Sequence, residues 1–305
     1  MTQSFTPIFA PQSLAPQVLP EGASPGAGDV APAGVYLFSE EIVLAVNVAL
    51  ATGRPLLVRG TSGCGKTSLA RSTAEQLGAR YHEAIVTART QARDLLWTTD
   101  LLRRLQDAQI GTLSPDWNSY INPGPLWWAF DSKSAREQQL RTHYNGPARG
   151  DTENSRAVLL IDEIDKADPD VPNALLRPLG DLAFVVEETG ASVEAQLPPP
   201  LIIITTNEDR DLPPAFLRRC VELNIAPFNQ DRLVEVGRAH FSGANEGLLQ
   251  AAAKLVIQGS SMRERRDPNP AEYLDILRAC SKLQIDSTSP MFQKLTQIAL
   301  GASGL

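Results

Sequence analysis

The stretch Gly60-Thr61-Ser62-Gly63-Cys64-Gly65-Lys66-Thr67 restricts the fold of this chain more than any other. It follows the apolar run Pro55-Leu56-Leu57-Val58-Arg59 and precedes a helix-forming run from Lys66 to about Leu77, which Gly78 ends. Buried strand, glycine-rich turn and helix, in that order, are the context that the pattern G-x-x-x-x-G-K-[ST] requires. Its glycines let backbone N–H groups curl inward with no Cβ in the way, and the helix N-terminus adds partial positive charge. Such a loop cradles phosphate. Lys66 is then expected to reach the β- and γ-phosphates and the Thr67 hydroxyl to ligate magnesium, so the implied ligands are ATP and Mg2+. Gly60, Thr61, Ser62, Gly63, Cys64 and Gly65 form the cradle, with Cys64 as a small filler in a variable position and not a nucleophile.

A second apolar run, Ala157-Val158-Leu159-Leu160-Ile161, ends in Asp162-Glu163. Carboxylates at the C-terminal end of a strand sit where open α/β sheets bind their ligands. Downstream of a full phosphate loop, this pair looks like a Walker B motif, with Asp162 holding the magnesium shell and Glu163 polarising the attacking water. A third run, Leu201-Ile202-Ile203-Ile204-Thr205-Thr206, ends in Asn207.

With further strand-like runs at Glu83 to Thr87 and Val221 to Ile225, and helical stretches between them, the pattern predicts an α/β fold with a mainly parallel five-stranded sheet flanked by helices. Ser39, followed by Glu40 and Glu41, is placed to cap a first helix that Gly53 ends. From about Phe228 the chain reads as helices only, over Asp231 to His240, Glu246 to Arg263, Pro270 to Leu283 and Met291 to Leu300. The expected organisation is a Pro/Ala-rich disordered tail over 1–34, an α/β nucleotide-binding subdomain over 35–228 and a small helical lid over 229–305. Six prolines among Ala, Gly, Ser and Gln leave the tail too little apolar area to offset its ordering entropy; a docking peptide is the alternative. An insert over 91–156 holds all four tryptophans (Trp97, Trp117, Trp127, Trp128), which are expected to pack in a core or an interface. Within it, Leu101 to Ile110 reads as an amphipathic helix.

Composition narrows the partners. A formal net charge of −7 with no dense Lys/Arg stripe argues against nucleic acid as the main ligand. The richest basic run, Arg263, Arg265 and Arg266, is broken by Glu264 and reads as a solvated helix end. Cys64, Cys220 and Cys280 are too scattered for a disulfide framework, and His82, His143 and His240 lack metal-ligand spacing. No apolar run approaches the roughly 20 residues that cross a bilayer. No secretion signal is evident, so a cytoplasmic location is expected.

Beyond these motifs the chain resembles the MoxR-type AAA+ ATPases, which carry an insert in helix 2, over roughly residues 35–300. Ala45-Val46-Asn47 with Arg54-Pro55-Leu56-Leu57-Val58 is similar to that group's approach to the phosphate loop, and Gly124-Pro125-Leu126 to its glycine-proline-leucine segment. Asp162-Glu163-Ile164-Asp165-Lys166-Ala167, followed by Asn173-Ala174-Leu175-Leu176, resembles its acidic motif and next helix, and 184–194 reads as a hairpin inserted before the third apolar strand. The resemblance implies an AAA+ P-loop NTPase fold with an all-helical lid, and a sensor-1 role for Asn207 in orienting the water, with Thr206 the runner-up.

Leu212-Pro213-Pro214-Ala215-Phe216-Leu217-Arg218-Arg219 resembles the segment that carries an arginine finger to a neighbouring subunit. Arg219 falls on the finger position and Arg218 is the runner-up. The implied assembly is a homo-oligomeric ring, most simply a hexamer. One departure stands out: in Pro268-Asn269-Pro270-Ala271, Ala271 occupies the place where many members carry a sensor-2 arginine, and Arg278 lies too far along to replace it.

The implied function is an ATP hydrolase that remodels a partner protein, in this group commonly one with a von Willebrand factor A domain. The competing reading is a nucleic-acid-linked motor NTPase of a restriction or defence system, to which Asn207-Glu208-Asp209-Arg210 bears a slight likeness. A small-molecule kinase on the same loop would need neither the Asp-Glu pair nor a helical C-terminal subdomain.

Overall fold

The computed structural model describes residues 6–11, 36–142, 156–241, 243–262 and 268–299. His143, the basic run 263–266 and most of the expected tail lie outside them. In chain order the elements are α1 (Glu40–Thr52), β1 (Leu56–Arg59), α2 (Lys66–Gln76), β2 (Arg80–Ile85), α3 (Ala92–Leu96), β3 (Trp97–Thr99), α4 (Leu101–Gln109), β4 (Ile121–Pro123), α5 (Pro125–Phe130) and α6 (Ser132–Thr142). They continue with β5 (Ala157–Asp162), α7 (Asp170–Ala174), α8 (Leu176–Asp181), β6 (Ala183–Val186), β7 (Ala191–Glu194), β8 (Leu201–Thr206), α9 (Pro214–Leu217) and β9 (Val221–Asn224). Four helices close the described chain: α10 (Gln230–His240), α11 (Glu246–Met262), α12 (Pro270–Leu283) and α13 (Pro290–Ala299).

Five strands form one sheet in the order β2-β5-β8-β1-β9. The pairs β2–β5, β5–β8 and β1–β8 are parallel. β5 and β8 sit inside the sheet and are apolar on both faces, with every residue of β8 buried. This is why these strands read as continuous hydrophobic runs. β2 starts earlier than expected, at Arg80, and pairs from Arg80↔Ala157 to Ile85↔Asp162. It lies at the sheet's edge and alternates in burial, so Arg80-Tyr81-His82 lacked the apolar signature of an inner strand.

Two units are distinguishable. The first comprises Met1–Ala10, Glu41–Arg59 and Thr73–Leu223; the second comprises Pro11–Glu40, Gly60–Ser72 and Asn224–Leu305. The phosphate loop is thus in the same unit as the C-terminal helices.

In the first unit a core runs from the sheet into the insert. Trp97, Trp127 and Trp128 are buried in it. Phe184, on the β6–β7 hairpin, stacks on Trp97 at 5.8 Å between ring centroids and meets Trp127 edge-on at 6.0 Å. Trp117 is half-buried under the Arg104 guanidinium, 3.7 Å from its ring centroid. α4 is capped by Asp100, which accepts the Arg103 N–H, and it buries none of its residues. In the second unit, Leu233, Val234, Leu249, Val256, Tyr273, Ile276 and Phe292 from α10 to α13 form a separate core.

The expected tail needs one correction. Residues 6–11 are placed, Phe9 is 1% exposed, and Asn47 of α1 hydrogen-bonds to the backbone of Ile8 and Phe9. A buried aromatic anchor supplies here what the composition of the whole stretch lacks; residues 12–35 lie outside the described chain.

Candidate active site

The loop after β1 is built by its glycines. Gly63 has φ +82°, and a Cβ there would come within 2.6 Å of the Asn269 side chain. A Cβ on Gly60 would sit 2.8 Å from Cys64 Sγ and 3.1 Å from the Ile225 carbonyl oxygen. Cys64 is buried, as expected of a filler. Lys66 is only 6% exposed, and its ammonium donates to the carbonyls of Gly60 at 2.7 Å and Thr61 at 2.9 Å. The loop is thus curled around its own lysine. Thr61 and Ser62 are exposed, Gly65 is half-buried, and Thr67 is half-buried in the first turn of α2. Tyr36 was not singled out in the sequence. Its ring lies 3.4 Å from where a Gly65 Cβ would be, and burial together with the nearby Cys64 pushes its phenol up.

The same unit holds the start of α12. Asn269 caps that helix, its Oδ1 accepting the Ala271 N–H at 2.8 Å, while its carboxamide packs over Gly63. Ala271 has no polar side chain to offer. Arg278 is committed to Asp275 in its own helix at 2.5 Å.

The acidic pair belongs to the first unit. β5 ends at Asp162 and the chain turns left-handed at Glu163 (φ 59°, ψ 50°), a conformation that costs a non-glycine residue roughly 1–2 kcal/mol. Thr205, fully buried on β8, makes that turn hold. Its hydroxyl accepts the Glu163 N–H at 2.8 Å and donates to Asp162 Oδ1. Asn207 Nδ2 donates to Glu163 Oε1 at 3.0 Å, and Lys166 pairs with Glu163 Oε2. That hydrogen bond to Glu163 raises the Lys166 pKa. Asp165, 3% exposed, accepts the N–H groups of Asn207 at 3.2 Å and Asp209 at 3.0 Å.

Asp162, Glu163 and Asn207 therefore share one network, with Thr205 and Asp165 as members that sequence reading missed. Thr206 does not join it: its hydroxyl accepts the Glu208 N–H at 2.9 Å. Glu208, itself left-handed at φ 63°, is tied to β1 through Arg59 at 2.8 Å.

Arg218 and Arg219 follow α9 and are exposed. The Arg219 side chain makes one long hydrogen bond, to Ala215 O at 3.4 Å, and among the described residues no carboxylate pairs with either arginine. The backbone beneath them is fixed by Arg54, whose guanidinium donates to the carbonyls of Arg218 at 2.8 Å, Arg219 at 3.1 Å and Cys220 at 2.5 Å. A planar five-donor fork suits three convergent carbonyls. Burial pushes the thiol of the neighbouring Cys220 up to about 12.

A parallel α/β sheet with a glycine phosphate loop after one strand and an acidic pair at the end of another defines a P-loop nucleotide hydrolase. The AAA domain (dynein-related subfamily) matches residues 55–220, over half of the 305-residue chain, and the chain belongs to that family. It is an AAA+ ATPase. Among solved structures, a RuvB point mutant from Thermotoga maritima is similar at 16% identity and a TM-score of 0.52, over 86% of this chain and 69% of that one. The Thermotoga maritima RuvB Holliday junction branch migration motor is similar at 15% identity and a TM-score of 0.47, over 84% of this chain and 65% of that one. The chain thus spans about two thirds of the length of these RuvB chains. At such identity the likeness to the first of them shows the fold alone. No curated protein matches.

Proposed function

We propose that the chain is a magnesium-dependent, MoxR-type ATPase that assembles into a ring, most simply a hexamer, and spends ATP turnover on remodelling a partner protein. The observation that carries the reading is the network in which Thr205 and Asn207 of one strand end hold Asp162 and Glu163 of the next. Asn207 holds one oxygen of the Glu163 carboxylate and Lys166 the other, which fixes a group that can orient a water and take its proton. Lys66 and the loop N–H groups bind the phosphates. The phosphate-loop and acidic-strand motifs name Thr67 and Asp162 as the magnesium-binding residues, and each offers an oxygen donor of the kind magnesium takes. The ion, when bound, neutralises charge on the β- and γ-phosphate oxygens.

Arg219 is proposed to act in trans, with Arg218 the neighbouring candidate. Its support is an exposed guanidinium with no carboxylate partner among the described residues, on a backbone that Arg54 fixes. Remodelling of a partner, one with a von Willebrand factor A domain included, rests on the MoxR-type segments around Asp162 and Gly124. Three buried cysteines, none in a disulfide, suit a reducing cytoplasm. Among the described residues no helix is long and apolar enough to cross a membrane.

Mixing tests the shared site. Arg219→Ala alone is expected to lose about 10³-fold or more in turnover. Mixed with Lys66→Ala subunits, it should regain part of that activity, because some interfaces then combine an intact loop with an intact finger. No recovery at any mixing ratio contradicts the trans assignment. DNA-stimulated GTP turnover would instead support the nucleic-acid-linked motor.

A further inference from the structure

Among the buried residues of α1 there is one polar side chain, Asn47, at 6% exposure beside Ile42, Val46, Ala49 and Leu50. A buried carboxamide must satisfy two donors and two acceptor sites inside the protein. One bond stays in the helix, from Nδ2 to the Val43 carbonyl at 2.8 Å. The other three go to a single distant segment. Oδ1 accepts the N–H of Ile8 at 2.7 Å and of Phe9 at 2.8 Å, and Nδ2 donates to the Phe9 carbonyl at 2.7 Å. Asn47 therefore reads a peptide backbone, and without that segment most of its hydrogen bonds are lost.

The segment is suited to being read. Thr6 and Ala10 each precede a proline, Pro7 and Pro11, which disfavours helical backbone at both positions and leaves less freedom to lose on docking. Phe9 is 1% exposed, whereas Thr6, Pro7, Ile8 and Ala10 are exposed. No residue of 6–11 belongs to a helix or a strand. One aromatic anchor and three backbone hydrogen bonds are the contacts of a docked peptide.

We propose that this side of α1 is a peptide-binding site for a short non-helical segment with an aromatic anchor, and that its resident occupant is this chain's own residues 6–11, held as a releasable latch. The proposal is independent of the nucleotide reading.

The test titrates a fluorescein-labelled peptide of residues 4–12 against the full chain carrying Phe9→Ala, whose own latch has lost its anchor. Saturable anisotropy is expected with a Kd below about 1 mM, the effective concentration against which a short tether competes. The same peptide with Phe9→Ala should bind about 10–100-fold more weakly, as burial of one phenylalanine implies. The wild-type chain, with its latch in place, should also bind the peptide more weakly. No saturable binding to a folded Phe9→Ala chain, or equal affinity for both peptides, overturns the proposal. If that variant does not fold, hydrogen exchange on the wild-type chain decides. The Ile8 and Phe9 amides should exchange at least about tenfold more slowly than the Thr6 and Ala10 amides, and excess free peptide should speed them. Unprotected amides, or protection that free peptide leaves unchanged, contradict it.

Discussion

The phosphate loop and the acidic network do complementary work with opposite materials. The loop is made of backbone: its conformation comes from glycines, and its lysine is held by carbonyls only five and six residues away. The network needs side chains at the ends of two strands: the Thr205 hydroxyl and the Asp165 carboxylate accept backbone N–H groups, and Thr205 and Asn207 donate to Asp162 and Glu163, all across more than forty positions. A loop built locally tolerates side-chain changes at its variable positions, Thr61, Ser62 and Cys64, but not backbone ones. A network built at long range has the reverse sensitivity.

Thr205→Val keeps the shape of a fully buried residue and deletes the hydroxyl that joins Asp162 to the Glu163 N–H. A hydrogen bond to a charged group contributes about 1.5–3 kcal/mol, so steady-state turnover should fall about 10–100-fold while nucleotide affinity changes little. An equal loss of affinity would erase the contrast between the two regions. Gly63→Ala makes the opposite cut. At φ +82° a Cβ costs about 1–2 kcal/mol, so nucleotide affinity measured by calorimetry should weaken about 5–30-fold. Adding Asn269→Ala removes the 2.6 Å clash and should return part of that loss; no recovery would mean that backbone strain alone is responsible.

The smallest effect lies away from both regions. Burial pushes Glu188 up, but hydrogen bonds from Thr99 and Trp97 and the charge of Arg93 carry it below its usual 4.5. A carboxylate depressed in the folded state stabilises the protein above its unfolded pKa, and that contribution fades as pH falls through the folded value. Thermal melts of Glu188→Gln should therefore lie slightly below wild type at neutral pH and converge with it below pH 4.5. A constant gap across that range would contradict the assignment.

The same contrast explains what the sequence made legible. The loop is readable in the sequence because its geometry depends on three closely spaced glycines, Gly60, Gly63 and Gly65, each at positive φ. The helical stretch expected over Pro270 to Leu283 coincides with α12. Thr205 and Asp165 were not readable as site members, because a threonine inside an apolar strand and one acid among several acquire a role only when β5 and β8 pair. Arg54 looked like part of an approach to β1, yet its partners lie more than 160 residues away. Phe9 was hidden in a proline-rich composition because one buried ring does not change an average.

Glu163→Gln tests the central claim most directly. The substitution keeps the size and the left-handed turn and removes the proton acceptor. ATP binding should remain within about threefold of wild type while single-turnover hydrolysis falls by about 10²–10⁴-fold, the contribution of a general base. Hydrolysis at the wild-type rate would show that another group activates the water, and the reading of the acidic network as the catalytic half of the site would be wrong.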